Sequence, residues 1–202
     1  MNYKIINKKS CCIQQSVKIG KGCIIYPNNT ILGSTQIKDG CIVYPGNVII
    51  DSIIGQNCVI KTSYITNSII GDNCAVGPFS NLRENNIIGN NCKIGDFCEL
   101  KNCQMGNNTK ASHHAYLGDV DIGEKVNIGA GVIVANYDGK SKHHSTICEG
   151  AFIGCNCNII SPVTIAKNTF VCAGTTVTDS TCENDFIIAR VRQCVKQKPH
   201  NI

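Results

Sequence analysis

The sequence lacks the short motifs that mark several common classes of enzyme. It has no tryptophan and only 11 aromatic residues (6 Tyr and 5 Phe) among 202. It contains no GxGxxG or Walker-type phosphate loop, no GxSxG nucleophile motif and no CxxC pair. These absences argue against a dinucleotide-binding domain, a P-loop nucleotidase, an α/β-hydrolase and a thioredoxin-like or zinc-ribbon site.

The sequence also lacks membrane and export signals. No stretch approaches about 18 uninterrupted apolar residues, and the first residues, MNYKIINKKSCC, contain neither the apolar run nor the cleavage site of a signal peptide. We therefore expect a cytoplasmic protein with no membrane partner. The net charge of +5 is mild and aromatic residues do not alternate with the basic ones, so nucleic acid is not expected as a partner.

What the sequence does contain is an aliphatic residue at every sixth position, in three unbroken runs. A period of six does not fit a helix, in which apolar residues recur at three and four. Such self-similarity is the mark of a repeat architecture. The runs are Ile19, Ile25, Ile31, Ile37, Val43 and Ile49; Ile70, Val76, Leu82, Ile88, Ile94 and Leu100; and Ile147, Ile153, Ile159, Ile165, Val171 and Val177.

Each hexad places glycine and polar residues after the aliphatic one, as in IGDNC at 70–74 and IGNNC at 88–92. Short strands joined by turns fit this order, because Gly and Asn tolerate the positive φ of a tight corner. Three such segments would close a triangular coil of about 18 residues. The sequence thus predicts an all-β parallel β-helix of about ten coils and about 48 Å over 1–185, followed by a short basic tail over 186–202.

The hexad period breaks at four places in the chain. Three are one-residue slips, at 49–54, 100–105 and 117–122. The fourth is longer and contains NYDGKSKHHS, which predicts a protruding loop over 135–146.

Fifteen cysteines are many for a cytoplasmic chain, where disulfides are rare. Seven follow an aliphatic anchor by four residues, where a small semi-buried residue belongs, so we expect packing thiols rather than metal ligands. The only CxC, at Cys155 and Cys157, has no second pair at zinc-ligand spacing. The seven are Cys23, Cys41, Cys58, Cys74, Cys92, Cys98 and Cys157.

Spacing by one coil also brings candidate functional residues together. Arg83 and Lys101 lie 18 residues apart, and two stacked cations either splay into solvent or bind an anion such as phosphate.

Counted through the slips, His113 stacks on Asp96, with Ala130 at the same position one coil later. A histidine with a carboxylate beside it suits a general base, although a lone surface histidine is more often inert.

Two further groups of residues remain open on spacing alone. A zinc site drawing on the pairs His113–His114 and His143–His144 would need a further local ligand. The basic C-terminal residues suit either solvation or contact with a polyanionic cofactor. These are Arg190, Arg192, Lys196 and Lys198.

From Gly77 onward the sequence resembles one family specifically. The segments are GPFSNLR (77–83), KASHHAYLGDVDIGEKVNIGAGVIVANYDGKSK (110–142) and SPVTIAKNTFVCAGTTVT (161–178), ending in IIARV (187–191). They look like the C-terminal acetyltransferase domain of the bacterial bifunctional UDP-N-acetylglucosamine pyrophosphorylase/glucosamine-1-phosphate acetyltransferase. The match covers about 115 residues, from 77 to 191, and so includes the expected catalytic coils over 77–185, whereas 10–76 match only as repeats.

This resemblance implies a left-handed β-helix that N-acetylates glucosamine 1-phosphate with acetyl-CoA, for UDP-N-acetylglucosamine synthesis. His113 would be the general base. The acetyl-CoA groove would lie between subunits of a homotrimer, with no metal needed. The family's uridylyltransferase domain is not in the sequence, so a separate uridylyltransferase is expected to supply that step. The implied substrate ligands are Arg83, Lys101, Tyr116, Asn127 and Lys142, and the implied cofactor ligands are Ala130, Asn136, Tyr137, Cys155, Ala173 and Arg190.

Three residues depart from the family pattern. Glu84 replaces a proline beside the expected phosphate ligand, Cys155 replaces a serine in the groove, and His114 replaces an apolar neighbour of the base. These departures leave alternatives open, namely another amino sugar or sugar nucleotide as acceptor, or a non-catalytic trimeric partner of a nucleotidyltransferase.

Overall fold

The computed structural model describes residues 2–196. Lys198 and the rest of the predicted tail beyond 196 lie outside the described residues. Within them the chain is built of short strands, with one 3-10 turn at Lys8–Ser10 and no α-helix. No helix in this part of the chain has the length and apolar character needed to cross a membrane.

Within residues 2–196, twenty-eight strands of two to seven residues follow one another. Their bounds are β1 Lys4–Ile5, β2 Cys12–Ile13, β3 Lys18–Ile19, β4 Ile24–Ile25, β5 Thr30–Leu32, β6 Gln36–Ile37, β7 Ile42–Val43, β8 Val48–Ile50, β9 Ile53–Ile54, β10 Val59–Ile60, β11 Tyr64–Thr66, β12 Ile69–Ile70, β13 Ala75–Val76, β14 Asn81–Arg83, β15 Ile87–Ile88, β16 Lys93–Asp96, β17 Glu99–Met105, β18 Lys110–His113, β19 Tyr116–Ile122, β20 Asn127–Ile128, β21 Ile133–Ala135, β22 Ser145–Ile147, β23 Phe152–Ile153, β24 Asn158–Ile160, β25 Thr164–Ile165, β26 Phe170–Val171, β27 Thr176–Val177 and β28 Phe186–Ile187.

Every pairing between these strands is parallel, and each strand pairs with the equivalent strand one coil away. The first face is an eleven-stranded sheet of β1, β4, β7, β10, β13, β16, β18, β20, β23, β26 and β28. The second face runs from β2 to β27 and the third from β3 to β25. The long strands β17 and β19 turn the corner between these two faces and join them into one seventeen-stranded sheet. The predicted parallel β-helix of about ten coils is therefore confirmed.

The core is a single column of aliphatic side chains along the axis. All anchors from Ile25 to Val177 in the three predicted runs are buried. The structure adds two short steps that the sequence analysis did not identify. Ile60, Ile65 and Ile70 are successive buried anchors five residues apart, and their corners are closed by Thr62 and Asn67 at positive φ.

All seven predicted packing cysteines are at most 2% exposed. Their thiols do more than fill space, because several donate to a carbonyl of the next coil. Cys41 Sγ lies 2.9 Å from the Gly55 oxygen and Cys58 Sγ lies 3.1 Å from the Gly71 oxygen. Burial raises the pKa of the Cys98 thiol, which keeps it protonated and able to donate. Cys103 and Cys172, for which the sequence offered no role, are buried as well.

Adjacent residues of β12 test how much the axial column contributes to stability. Ile70 is 1% exposed and Ile69 is 46% exposed. We expect Ile70→Ala to cost about 2–5 kcal/mol, since it leaves a cavity between coils, and Ile69→Ala to cost less than about 1 kcal/mol. Urea unfolding at one fixed protein concentration measures both values. Equal shifts in the two variants would contradict the assignment of the core.

Candidate functional site

The predicted stack of His113 on Asp96 is present at the corner between the first and second faces. Strands β16 and β18 pair in parallel with Asp96 opposite His113, and Asp96 Oδ1 lies 2.9 Å from His113 Nδ1. A backbone N–H and the His113 ring hold the pKa of Asp96 below its usual value, so the carboxylate is ionised and accepts. In the neutral imidazole His113 Nδ1 is then the donor, and Nε2 keeps a free lone pair.

The other paired histidines contact different carboxylates. His143 Nε2 lies 2.7 Å from Asp138, and His144 Nε2 lies 3.1 Å from Asp121. Within residues 2–196 no group of three or more His, Cys, Asp or Glu side chains is arranged to hold a metal ion. The structure thus does not gather the two histidine pairs into one site.

Arg83 and Lys101 stack on the second face, as their spacing predicts. They are register partners in β14 and β17, and the next partner in the column is Gly118. Each cation also has a carboxylate nearby. Arg83 Nε lies 2.7 Å from Glu99 Oε1, and Lys101 Nζ lies 3.9 Å from Glu84 Oε2. The cations are therefore partly balanced by Glu84, which the sequence places beside the expected phosphate ligand, and by Glu99, which was not expected at the site.

The segment between β21 and β22 brings Lys142 to this group. It folds back on itself through an antiparallel bridge between Tyr137 and Lys142. Asp138 stabilises the turn by accepting from the backbone N–H groups of Lys140 and Ser141 at 2.7 Å. The Lys142 ammonium lies beside that of Lys101, and this neighbour lowers the pKa of Lys142.

Tyr116 lies in the same region, whereas Asn127 lies on another face. A Cβ on Gly118 would be 2.5 Å from the Tyr116 hydroxyl and 2.9 Å from the Asn136 amide nitrogen. Glycine is needed there for these side chains to approach. Asn127 follows Lys110 in the column of the first face, away from Arg83. One chain therefore gathers four of the five expected substrate ligands.

The expected cofactor ligands Ala130, Cys155 and Ala173 stack at the corner that carries His113. The Asn156 N–H donates to the Ala130 oxygen at 2.7 Å, and the Gly174 N–H donates to the Cys155 oxygen at 2.8 Å. Because β18 pairs with β20 in register, Ala130 follows His113 one coil along the axis. Small side chains thus line a straight path that starts at His113.

The remaining expected cofactor ligands lie at the ends of this path or away from it. Arg190 is at the far end, with its guanidinium donating to the Ala173 oxygen at 3.1 Å. Asn136 is buried at the opposite edge of the second face, where its amide donates to Asp119. Partial burial opposes ionisation of Asp119, but hydrogen bonds from Asn102 and Asn136 hold its pKa below the usual value. Tyr137 is 60% exposed.

Comparison with known proteins gives two matching families. Residues 7–90 match the family described as the GMPPB C-terminal domain, and residues 144–179 match the bacterial transferase hexapeptide, six repeats. Among solved structures, an Arabidopsis UDP-N-acetylglucosamine acyltransferase superposes with a TM-score of 0.66 at 19% identity, covering 88% of this chain and 69% of that one. A likeness at this identity shows the shared fold alone.

Curated relatives match over almost the whole chain. The bifunctional protein GlmU of Caldicellulosiruptor saccharolyticus is 47% identical over 194 residues, which are 96% of this chain and 42% of that protein. GlmU of Thermosipho africanus is 48% identical over 192 residues, which are 95% of this chain and 43% of that protein. The chain thus spans less than half the length of these relatives.

The contact between Lys101 and Lys142 can be tested by titration. Lys101→Met should raise the pKa of Lys142, because the neighbouring positive charge that disfavours its protonated form is removed. NMR of isotopically methylated lysines measures this pKa directly. Lys140→Met, in the same loop, should leave the Lys142 titration in place. An unchanged Lys142 titration in Lys101→Met would rule out the contact.

Proposed function

This chain is a hexapeptide-repeat relative of the bifunctional GlmU proteins, and from this relationship we propose that it transfers the acetyl group of acetyl-CoA to the amine of glucosamine 1-phosphate. The observation that carries the proposal is the His113–Asp96 pair at the start of the Ala130–Cys155–Ala173 path. The proposed base, which has one free ring nitrogen, thus lies at the end of the path where the acyl group of acetyl-CoA would be placed. The product would be N-acetylglucosamine 1-phosphate, used in the synthesis of UDP-N-acetylglucosamine.

In the proposed reaction the amine nitrogen attacks the thioester carbonyl carbon. His113 Nε2 takes the proton that the nitrogen loses, while Asp96 holds the other ring nitrogen and stabilises the imidazolium. The tetrahedral intermediate then breaks its C–S bond. Coenzyme A leaves as a thiolate, and the proton held by His113 neutralises it, so the base is regenerated.

The negative oxygen of the intermediate needs a hydrogen-bond donor. In the described part of the chain, no acceptor is hydrogen-bonded to the Ala130 N–H. It is one coil along the axis from His113, so it is the backbone donor that we assign to this role. Oxyanion donors of this kind often contribute a few kcal/mol to the stabilisation of the transition state.

The phosphate of the acceptor would bind at Arg83, Lys101 and Lys142. A dianion placed between these cations relieves the repulsion between Lys101 and Lys142. Tyr116, whose hydroxyl lies over Gly118, would contact the sugar. Arg190 would bind phosphates of coenzyme A at the far end of the small-residue path.

Asn127 completes this site only if a second copy of the chain is present. It is on the first face and Arg83 is on the second, and in one prism these faces point in different directions. We propose a closed homotrimer in which the first face of each protomer lies beside the second face of the next. Asn127 of one copy and Arg83 of its neighbour would then contact the same sugar phosphate.

One structural feature favours a second candidate acceptor. Glu99 and Glu84 already pair with Arg83 and Lys101, which reduces the net positive charge available to a phosphate. An amino sugar without a phosphate would suit a site whose cations are already paired with carboxylates. A sugar nucleotide whose phosphates lie away from these cations would suit it as well. A non-catalytic role as partner of a nucleotidyltransferase would instead give no turnover with any amino sugar.

The base assignment predicts the effect of His113→Ala. We expect kcat to fall by about 10²–10⁴-fold with a small change in KM, since proton removal is lost and binding is kept. Chromatographic separation of acetyl-CoA and coenzyme A is the suitable assay, because exposed cysteines of the protein would react with thiol reagents. His114→Ala is the matched control and should stay near parental activity.

Two outcomes would refute parts of this scheme. No acceptor-dependent release of coenzyme A by the parent, with glucosamine 1-phosphate, would refute the reaction. Full activity of His113→Ala would refute the base. Glucosamine and a UDP-linked amino sugar, tested in parallel, identify which acceptor the site prefers.

The intersubunit arrangement predicts complementation between two weakened variants. Asn127→Ala and Arg83→Ala should each lose most activity alone. When the two are co-expressed, about a quarter of the sites in a randomly mixed ring combine an intact first face with an intact second face. We therefore expect recovery to about a quarter of parental activity. The same-face pair Arg83→Ala with Lys101→Ala should recover none, and equal recovery in both mixtures would contradict the arrangement.

A further inference from the structure

A second pair of stacked cations lies on the first face. Lys93 of β16 and Lys110 of β18 are register partners, and both are exposed. Adjacent parallel strands are about 4.8 Å apart, so the backbone holds the two side chains side by side, one coil apart along the axis. Like charges in this arrangement destabilise the free protein unless a ligand lies between them.

These two lysines differ from three other cations of the catalytic coils. Arg83, Lys101 and Lys125 each lie within ion-pair distance of a carboxylate. In the described part of the chain neither Lys93 nor Lys110 has such a partner. No direct ion pair therefore neutralises this strip of the first face, and Asp96, the carboxylate on which Lys93 acts electrostatically, is hydrogen-bonded to His113.

The pair also lies in the same strands as the base. Lys93 and Asp96 are the first and last residues of β16, and Lys110 and His113 are the first and last residues of β18. Asn127 follows Lys110 in the same outward column. Two ammonium groups and an amide thus form one line on the first face, beside the His113 corner.

We infer that Lys93 and Lys110 form an anion-binding site for a phosphate group. Lysine ammonium groups bind phosphate oxygens by charge-assisted hydrogen bonds, and the Asn127 amide can donate to the same ligand. The assignment of this phosphate to the acceptor sugar rests on the proposed function. In that assignment the pair adds two cations to the site from the side that carries Asn127.

Protection of lysines from chemical modification tests the site without relying on turnover. The rate of reductive methylation is measured for each lysine by mass spectrometry, with inorganic phosphate, glucosamine 1-phosphate or coenzyme A present, at ionic strength matched with chloride. We expect inorganic phosphate to slow methylation of Lys93 and Lys110 at least about threefold and to leave the ion-paired Lys125 unchanged. In Lys110→Gln the protection of Lys93 should disappear, and so should thermal stabilisation by phosphate. Lys125→Gln should keep both effects.

The outcomes separate this inference from the proposed function. Protection no greater than in chloride, or equal protection at Lys125, overturns the anion site even if glucosamine 1-phosphate is turned over normally. Protection by inorganic phosphate upholds the site even if glucosamine 1-phosphate is not a substrate. Protection by coenzyme A but not by glucosamine 1-phosphate overturns the assignment to the acceptor. If that assignment holds, Lys110→Gln raises KM for glucosamine 1-phosphate about tenfold with kcat within about twofold of the parent.

Discussion

The parallel register between coils is the constraint on which the rest of this structure depends. Each strand hydrogen-bonds to its equivalent one coil away, so an outward side chain always has one neighbour above it and one below. Functional side chains are therefore arranged in columns, in which successive residues come from strands about 4.8 Å apart. The pair of Asp96 and His113 and the pair of Arg83 and Lys101 arise from this one rule, although they lie on different edges of the second face.

The same constraint accounts for the unusual composition. The axis of a coil with three short sides holds one aliphatic residue per side, and Cys or Thr fits the corner beside it. Large rings are excluded from the axis and stack outside it instead. Phe152 and Phe170 lie 4.6 Å apart, and Tyr26 and Tyr44 lie 5.2 Å apart. The seven cysteines that follow an aliphatic anchor are thus wall residues, and thiols among them donate across coils as a threonine does at Thr109.

The period of six predicted the fold and the stacking of His113 on Asp96, because both depend on backbone spacing alone. It could not predict the ion pairs of Glu99 and Glu84, since these depend on which rotamers the side chains adopt across a corner. It also missed the two five-residue steps from Ile60 to Ile70, where two successive corners each lose one residue. The roles carried over from the family remain predictions. Asn127 lies on a separate face, so a single chain does not bring all the expected substrate ligands together.

The loop between β21 and β22 supplies a cation that the register of the strands does not. In the column of Arg83 and Lys101 the next residue is Gly118, which has no side chain and is covered by Tyr116 and Asn136. The solenoid can therefore supply no third cation at that level. The insertion after β21 brings Lys142 beside Lys101, and an antiparallel bridge joins Lys142 to Tyr137. The break in the period is thus the place where the chain adds a positive charge that regular stacking does not provide. A phosphate dianion would relieve the repulsion between this charge and that of Lys101.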